Sequence, residues 1–442
     1  MTLVINIIAT LLSCQIALIA GVFQGYSAIL LAQLKVTGSS LRINEDQASW
    51  IVSLENIFRP IGVLIEGSLN DKFGRKTLLL VVSQLFFIGW ILTYFSNTIF
   101  MLYVSRSFLS FVLGMVVCVS LYIAEISRPE ERDIFMTFAL LFITLGELIV
   151  YTLGYVLNWK TIAMILFIYS EFIFFLLFLI PESFIWYMIK KRKPEAIAAL
   201  LWFRRSTVIT NVEIREMEKK LEKIDERTKF LDNFFDPAVW KPLLIMIGFS
   251  VFQQQVGYNI IVFYAVDFFT SLGSTYDGII LSMIFAALSV VSNLLLIVLI
   301  NKYNKKILMI VSGLGMTVSM VIGAICLSIP NISRTIAVFS VFSYVLFSMG
   351  MLSIPIMIIS EIFPSKIRGN MSAIVLAILY LMTFLNLKFY PFLNNWLKVN
   401  GLFWYFAVFS LITVIFVLLF FPKTKNRSLF DIEEEFRTNI KN

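Results

Sequence analysis

Gln253, Gln254, Gln255 and Asn259 place four side-chain amides within seven residues of a run that is otherwise apolar from about Leu243 to Phe269. An amide in hydrocarbon costs several kcal/mol unless it finds a partner. Gln and Asn both donate and accept hydrogen bonds, which suits a neutral ligand whose hydroxyls do the same, a sugar above all. Adhesion between helices is the other use of such amides in membranes. Gly257 stands between them, where it can open the helix and let the amides converge, and Tyr264 ends the stretch. Ionisable residues inside apolar runs are functional candidates by default, and Glu55, Arg59, Arg106, Glu125, Glu147 and Glu171 are of this kind. Glu55 and Arg59 stand four apart and are expected to pair with each other. Glu147 shares a helix face with Leu140, Ile143 and Thr144. A carboxylate there can accept bonds from a sugar, pair with Arg59 or Arg106, or bind a proton. No role is assigned to Glu171.

The elements that position these groups are membrane spans. Of 442 residues, 59% are hydrophobic and 14% charged, against about 25% charged in soluble domains. There is no His, and Cys14, Cys118 and Cys326 are scattered singly. His-based metal or triad chemistry, a disulfide framework and a CxxC pair are therefore excluded, and no enzyme and no cofactor is indicated. The formal charge of +8 falls in loops between apolar runs, so it reads as topology and not as nucleic-acid binding. The first apolar run lacks a basic leader and exceeds a signal-peptide core in length, so it reads as a retained span.

Runs long enough to cross a bilayer lie at about residues 4–31, 47–69, 77–96, 99–126, 134–157 and 161–180, then 241–271, 277–300, 306–329, 335–362, 369–392 and 402–421. The expected fold is an all-α membrane protein of twelve transmembrane helices in two six-helix bundles. The expected divisions are an N-terminal bundle at 1–180, a linker at 181–240, a C-terminal bundle at 241–421 and a tail at 422–442. Within the linker, Ile214, Met217, Leu221 and Ile224 recur at helical spacing among charges, which predicts short amphipathic helices. Lys72, Arg75, Lys76, Arg128, Arg132, Lys302, Lys305, Lys306, Lys366 and Arg368 all fall on the linker's side of the spans. By the positive-inside rule both termini are expected in the cytoplasm, the sequon at Asn331 is a glycosylation candidate on the outside, and those at Asn370 and Asn426 stay bare.

Several motifs in order resemble the sugar porter family of the major facilitator superfamily. Asn70-Asp71-Lys72-Phe73-Gly74-Arg75-Lys76 resembles its D-[RK]-x-G-R-[RK] loop, Arg106 its span-four arginine, and Glu125 with Arg132 its E-x6-R. Pro181-Glu182-Ser183 resembles the start of PESPR, and Gln253, Gln254, Gly257 and Asn259 resemble QQ-x-x-G-x-N. Glu361-Ile362-Phe363-Pro364 with Arg368-Gly369 resembles the end of span ten, and Pro422-Lys423-Thr424-Lys425 resembles PETKG. Within the family the loop pattern, with Gly273-Ser274-Thr275, is most similar to the insect facilitated trehalose transporters. The resemblance implies the major facilitator fold around a central cavity, alternating access, and sugar binding by Gln253, Gln254 and Asn259. It turns the face of Glu147 and Thr144 to the cavity and extends the substrate set to Tyr264. It also implies a cytoplasmic gate built from Asp71, Gly74, Arg75, Arg106, Glu125, Arg132, Glu361 and Arg368.

Departures from the pattern are Leu140 for the span-five glutamine, Ser289 for the span-eight asparagine with Asn293 one turn on, Ile356 for the span-ten tryptophan and Leu379 for the span-eleven asparagine. Ser27 stands where proton-coupled members carry an aspartate. In the C-terminal copy of the gate Asn301, Asn304 and Lys423 replace the family residues, which predicts a bias toward the inward-open state. The expected function is facilitative transport of a neutral sugar, hexose or trehalose-like, in the plasma membrane. The alternatives are a non-transporting sensor or scaffold of the same fold and proton-coupled symport through Glu147. The partners implied are a small sugar and the lipid bilayer; the sequence sets no oligomeric state.

Overall fold

The structure, a computed structural model, describes residues 2–35, 41, 43–128, 131–222, 237–273, 275–300, 302–329, 334–363 and 368–421. Asn331, Asn301, Lys423 and the tail 422–442 lie outside the described residues, as do the side chains of Glu361, Arg368 and Asn370. The N-terminal half comprises α1 Thr2–Leu34, α2 Glu45–Ile57, α3 Arg59–Phe73, α4 Arg75–Tyr94, α5 Ile99–Gly114, α6 Val117–Ile126, α7 Arg132–Val156 and α8 Trp159–Leu177. Three linker helices follow, α9 Phe184–Ile189, α10 Lys193–Arg204 and α11 Thr207–Glu222. The second half comprises α12 Pro237–Gln255, α13 Tyr258–Phe263, α14 Ala265–Ser271, α15 Gly278–Ile300, α16 Lys305–Ser328, α17 Arg334–Ile362 and α18 Arg368–Phe420.

Among the described residues, ten helical stretches are long and apolar enough to cross a membrane. The last of these turns at Lys398, where φ is 55°, and so holds spans eleven and twelve. Helices α12, α13 and α14 together make the broken span seven. The result is the twelve-span, two-bundle fold expected.

Local sequence explains the breaks. Asn44 and Gln47 form a reciprocal capping box that starts α2. Pro60 then sits in the first turn of α3, where its missing N–H does no harm, and span two bends at Phe58. Asn158 starts α8 by accepting from the Thr161 N–H at 2.8 Å. Spans one and five pack backbone to backbone: a Cβ on Gly21 would lie 1.9 Å from the Ile143 carbonyl oxygen, and one on Gly146 would lie 2.2 Å from that of Leu18. The two halves meet along three seams, spans one and seven, two and eleven, and five and eight. Helix α10 lies against α1 and α9, marking the linker end of the bundle. Ile214 of α11 is buried and Met217 packs against the core, while the Leu221 side chain and Ile224 lie outside the described residues.

Candidate functional site

The site is built on the break in span seven. Helix α12 ends at Gln255, Gly257 adopts φ 93°, and α13 resumes at Tyr258. A Cβ on Gly257 would come 2.4 Å from the Phe406 ring, so only glycine fits there. Breaking a helix leaves carbonyls without donors, and side chains take them up. Asn386 Nδ2 donates to the Gln254 carbonyl at 2.6 Å, and Tyr344 Oη to the Val256 carbonyl at 2.9 Å.

Prolines open two further carbonyls, because each removes the amide that would reach four residues back. Pro355 frees the Met351 carbonyl, and Gln253 Nε2 donates to it at 3.0 Å. Pro391 frees the Leu387 carbonyl, and Tyr264 Oη donates to it at 3.1 Å. Tyr264 is thereby the one expected substrate contact that the structure does not bring to the cavity: its hydroxyl is spent on span eleven and its ring lies against Tyr390. Gln255 also serves as adhesion, accepting from Tyr405 Oη at 2.7 Å.

The remaining amides converge on a cavity of about 160 Å³ between the halves. Gln24, Asn56, Arg59, Thr144 and Glu147 line it from the first half, and Gln253, Gln254, Asn259 and Asn293 from the second. Gln254 and Asn259 bond to each other at 2.7 Å. Asn293 Nδ2 donates to Thr144 Oγ1 at 3.2 Å, which ties spans five and eight together at the cavity wall. Leu140, Ile356 and Leu379, three of the departures from the family pattern, also face the cavity. Its walls are consequently apolar where the pattern is polar.

Several buried polar atoms around this space have no hydrogen-bond partner: both side-chain atoms of Asn56, Arg59 Nε, Glu147 Oε2, Gln253 Oε1 and Asn293 Oδ1. Buried polar groups left unpaired each cost about 1–3 kcal/mol. Six such atoms belong to residues that line one hollow.

The interior charges pair differently from the expectation. Glu55 does not bond Arg59; it accepts from Arg106 Nη2 at 2.6 Å and from Ser27 Oγ at 2.8 Å. Glu55 and Arg106 are both 0% exposed, and Arg106 also lies over the Phe23 ring, 4.2 Å from its centre. Arg106 thus belongs to the middle of the first bundle and not to a gate at its end. Arg59 instead lies flat on the Tyr380 ring of span eleven, 3.9 Å from its centre. Glu171 accepts from Gln84 at 2.9 Å, linking spans three and six.

The loop motifs form one cluster at the linker end. Arg75 pairs with Glu125 at 2.8 Å, and Ser183 Oγ donates to the second Glu125 oxygen. Glu182 accepts from the backbone N–H groups of Arg75 and Lys76, both at 2.9 Å, capping the positive end of α4. Gly74, at φ 101°, is where that carboxylate approaches: a Cβ would lie 2.3 Å from Glu182 Oε2. Asp71 is largely exposed and 3.6 Å from Arg75. Arg132 is exposed at the start of α7, and among the described residues no bond joins it to the cluster. These bonds hold the first bundle to its linker; among those described, none crosses to the second bundle.

At the opposite end two ion pairs do cross. Lys35 after span one meets Asp267 of span seven at 2.6 Å. Lys388 of span eleven meets Asp46 at 2.8 Å and Ser49 at 2.9 Å, and lies 4.1 Å from the centre of the Trp50 ring on span two.

Asn56, Arg59, Gln24 and Asn293 are cavity residues that motif reasoning did not assign to the site. The available signal was that each is a polar residue within an otherwise apolar span, the property that did single out Glu147.

A family model described as "Sugar (and other) transporter" matches residues 1–436. Among curated proteins, the facilitated trehalose transporter Tret1 of Polypedilum vanderplanki is 28% identical over 448 residues, covering 99% of this chain and 89% of that protein. The protein of the same name from Apis mellifera ligustica is 28% identical, covering 98% and 88%. Among solved structures, the xylose transporter XylE from E. coli in a partially occluded inward-open conformation aligns with a TM-score of 0.79 at 20% identity, covering 96% of this chain and 99% of that one. XylE bound to 6-bromo-6-deoxy-D-glucose aligns equally well, at 0.79 and 22% identity. At these identities the structural likeness speaks for the fold.

Proposed function

Because the chain belongs to the sugar (and other) transporter family, a multi-pass membrane family, we propose that it carries a hexose-sized or trehalose-like sugar down its gradient by alternating access. The six unpartnered polar atoms around the central cavity carry this reading. A sugar's hydroxyls meet both kinds of need, since Asn56 Nδ2 and Arg59 Nε seek acceptors and the four free oxygens seek donors. The volume of about 160 Å³ is below the roughly 300 Å³ at which pockets for larger ligands begin, which supports a single sugar ring in this conformation. Trehalose, for which the relatives are named, requires the cavity to widen.

Gln253, Gln254, Asn259, Thr144 and Glu147 are the proposed substrate residues, joined by Asn56 and Asn293. Asp71, Gly74, Arg75 and Glu125 are the proposed gate elements at the linker end, with Glu361 and Arg368 their proposed counterparts from span ten. The basic residues of that end support its placement in the cytoplasm, with both termini, in a plasma-membrane protein. Uniport is favoured over proton symport by Ser27, a hydroxyl that exchanges no proton near neutral pH, hydrogen-bonded to an already paired Glu55. Buried Glu147 is the observation on the other side, and an imposed pH gradient separates the two: uniport leaves sugar uptake unaccelerated. The test of the whole reading is uptake of radiolabelled glucose, fructose and trehalose into proteoliposomes. Saturable uptake of at least one, lost in Gln254→Ala, is expected; no uptake of any overturns the reading.

A further inference from the structure

Glu147 is 2% exposed, lines the cavity, and has a carboxylate oxygen with no partner. No cation stands within ion-pair distance of it among the described residues. Arg59, the cation in the same cavity, is turned away onto the Tyr380 ring at 3.9 Å, an interaction that itself satisfies a guanidinium face. Glu55, another carboxylate in the interior of the first bundle, is already committed to Arg106 and Ser27. Oxygens of Asn56, Glu147, Gln253 and Asn293 lack donors. A buried carboxylate with no cation beside it is completed best by a ligand that brings a positive, donor-rich group.

On the transport reading above, we propose that the preferred solute is an amino sugar, its protonated amine received by Glu147 and its hydroxyls by Asn56, Gln253 and Asn293. An ammonium supplies three donors and the missing charge at once. A sugar acid is disfavoured at this position, because its carboxylate would face the Glu147 carboxylate.

The experiment uses the full-length chain in proteoliposomes and compares uptake of D-glucosamine, D-glucose and N-acetyl-D-glucosamine. The N-acetyl sugar keeps the ring and removes the charge. Charge-assisted bonds predict about ten- to hundredfold better half-saturation for glucosamine than for glucose, with N-acetylglucosamine no better than glucose. Glu147→Gln is expected to bring the glucosamine-to-glucose ratio to about one. Glu171→Gln, on the span-three to span-six contact, is expected to keep the wild-type ratio and controls for the loss of a carboxylate within the spans. If Glu147→Gln does not fold, the wild-type ratio alone decides. Equal handling of glucosamine and glucose by the wild type, or a preference that survives Glu147→Gln, overturns the amine assignment and leaves sugar transport standing. Absence of uptake of all three, and of trehalose and fructose, overturns both.

Discussion

At the scale of single residues, the interior charges show how far spacing alone can lead. Glu55 and Arg59 stand four apart, which on an unbroken helix brings side chains together. Here α2 ends at Ile57 and Arg59 opens α3 behind Phe58, so the one-turn geometry is lost. Glu55 reaches Arg106 on another span, a partner 51 residues away that no local pattern reveals. Breaking a buried pair by removing one member costs about 3–5 kcal/mol, whereas replacing both with apolar residues is often neutral. Glu55→Gln is therefore expected to lower the thermal midpoint of the solubilised protein sharply. Glu55→Met with Arg106→Met is expected to recover most of the loss; a double variant as unstable as the single one would contradict the pairing. In the cavity, Asn293→Leu removes an unmet acceptor together with the bond to Thr144. Sugar affinity should weaken about ten- to hundredfold, from roughly 1–3 kcal/mol, as read from half-saturation of uptake.

At the scale of elements, span seven was legible where its own residues dictate its shape and obscure where distant ones do. Gly257 among amides announces a break, and the φ of 93° makes it one. The use of Tyr264 was not legible, because its partner carbonyl is freed by Pro391, 127 positions further along the chain. Gln253 behaves the same way toward Pro355: one half of its amide holds a kinked helix, and the other half has no partner. Adhesion, posed by the sequence as the alternative to binding, thus takes up one half of that side chain. Pro355→Ala restores a backbone donor to the Met351 carbonyl and releases Gln253 Nε2. Sugar half-saturation is expected to shift at least about threefold, and the shift should vanish when Gln253→Ala is already present. Gly257→Val forces a β-branched residue into a left-handed conformation against Phe406, a strain of about 1–3 kcal/mol before any clash. Uptake should fall with it, and Gly257→Ala should lie between.

At the scale of the whole molecule, twelve spans and two halves were readable because a bilayer dictates length and apolarity residue by residue. The state of the transporter was not, since it depends on which end of the seam between halves is bonded. Lys35–Asp267 and Lys388–Asp46 tie the halves at the end away from the linker helices. Asp46 is mostly exposed and Lys35 is 41% exposed, so each pair contributes only about 0–1 kcal/mol. Together they amount to at most about 2 kcal/mol, a shift of up to roughly thirtyfold in a two-state equilibrium. That is small against folding yet large for a carrier whose two states must stay close in energy. With Cys14, Cys118 and Cys326 replaced by Ser, a single cysteine at Asn293 reports which end is open. An impermeant thiol reagent added at the end away from the linker helices should label it slowly in the otherwise intact protein. Asp46→Ala with Asp267→Ala should speed labelling several-fold, and raising the salt concentration should do part of the same by screening. Fast labelling before either pair is cut, unchanged by cutting both, would show that these bridges do not hold the seam shut.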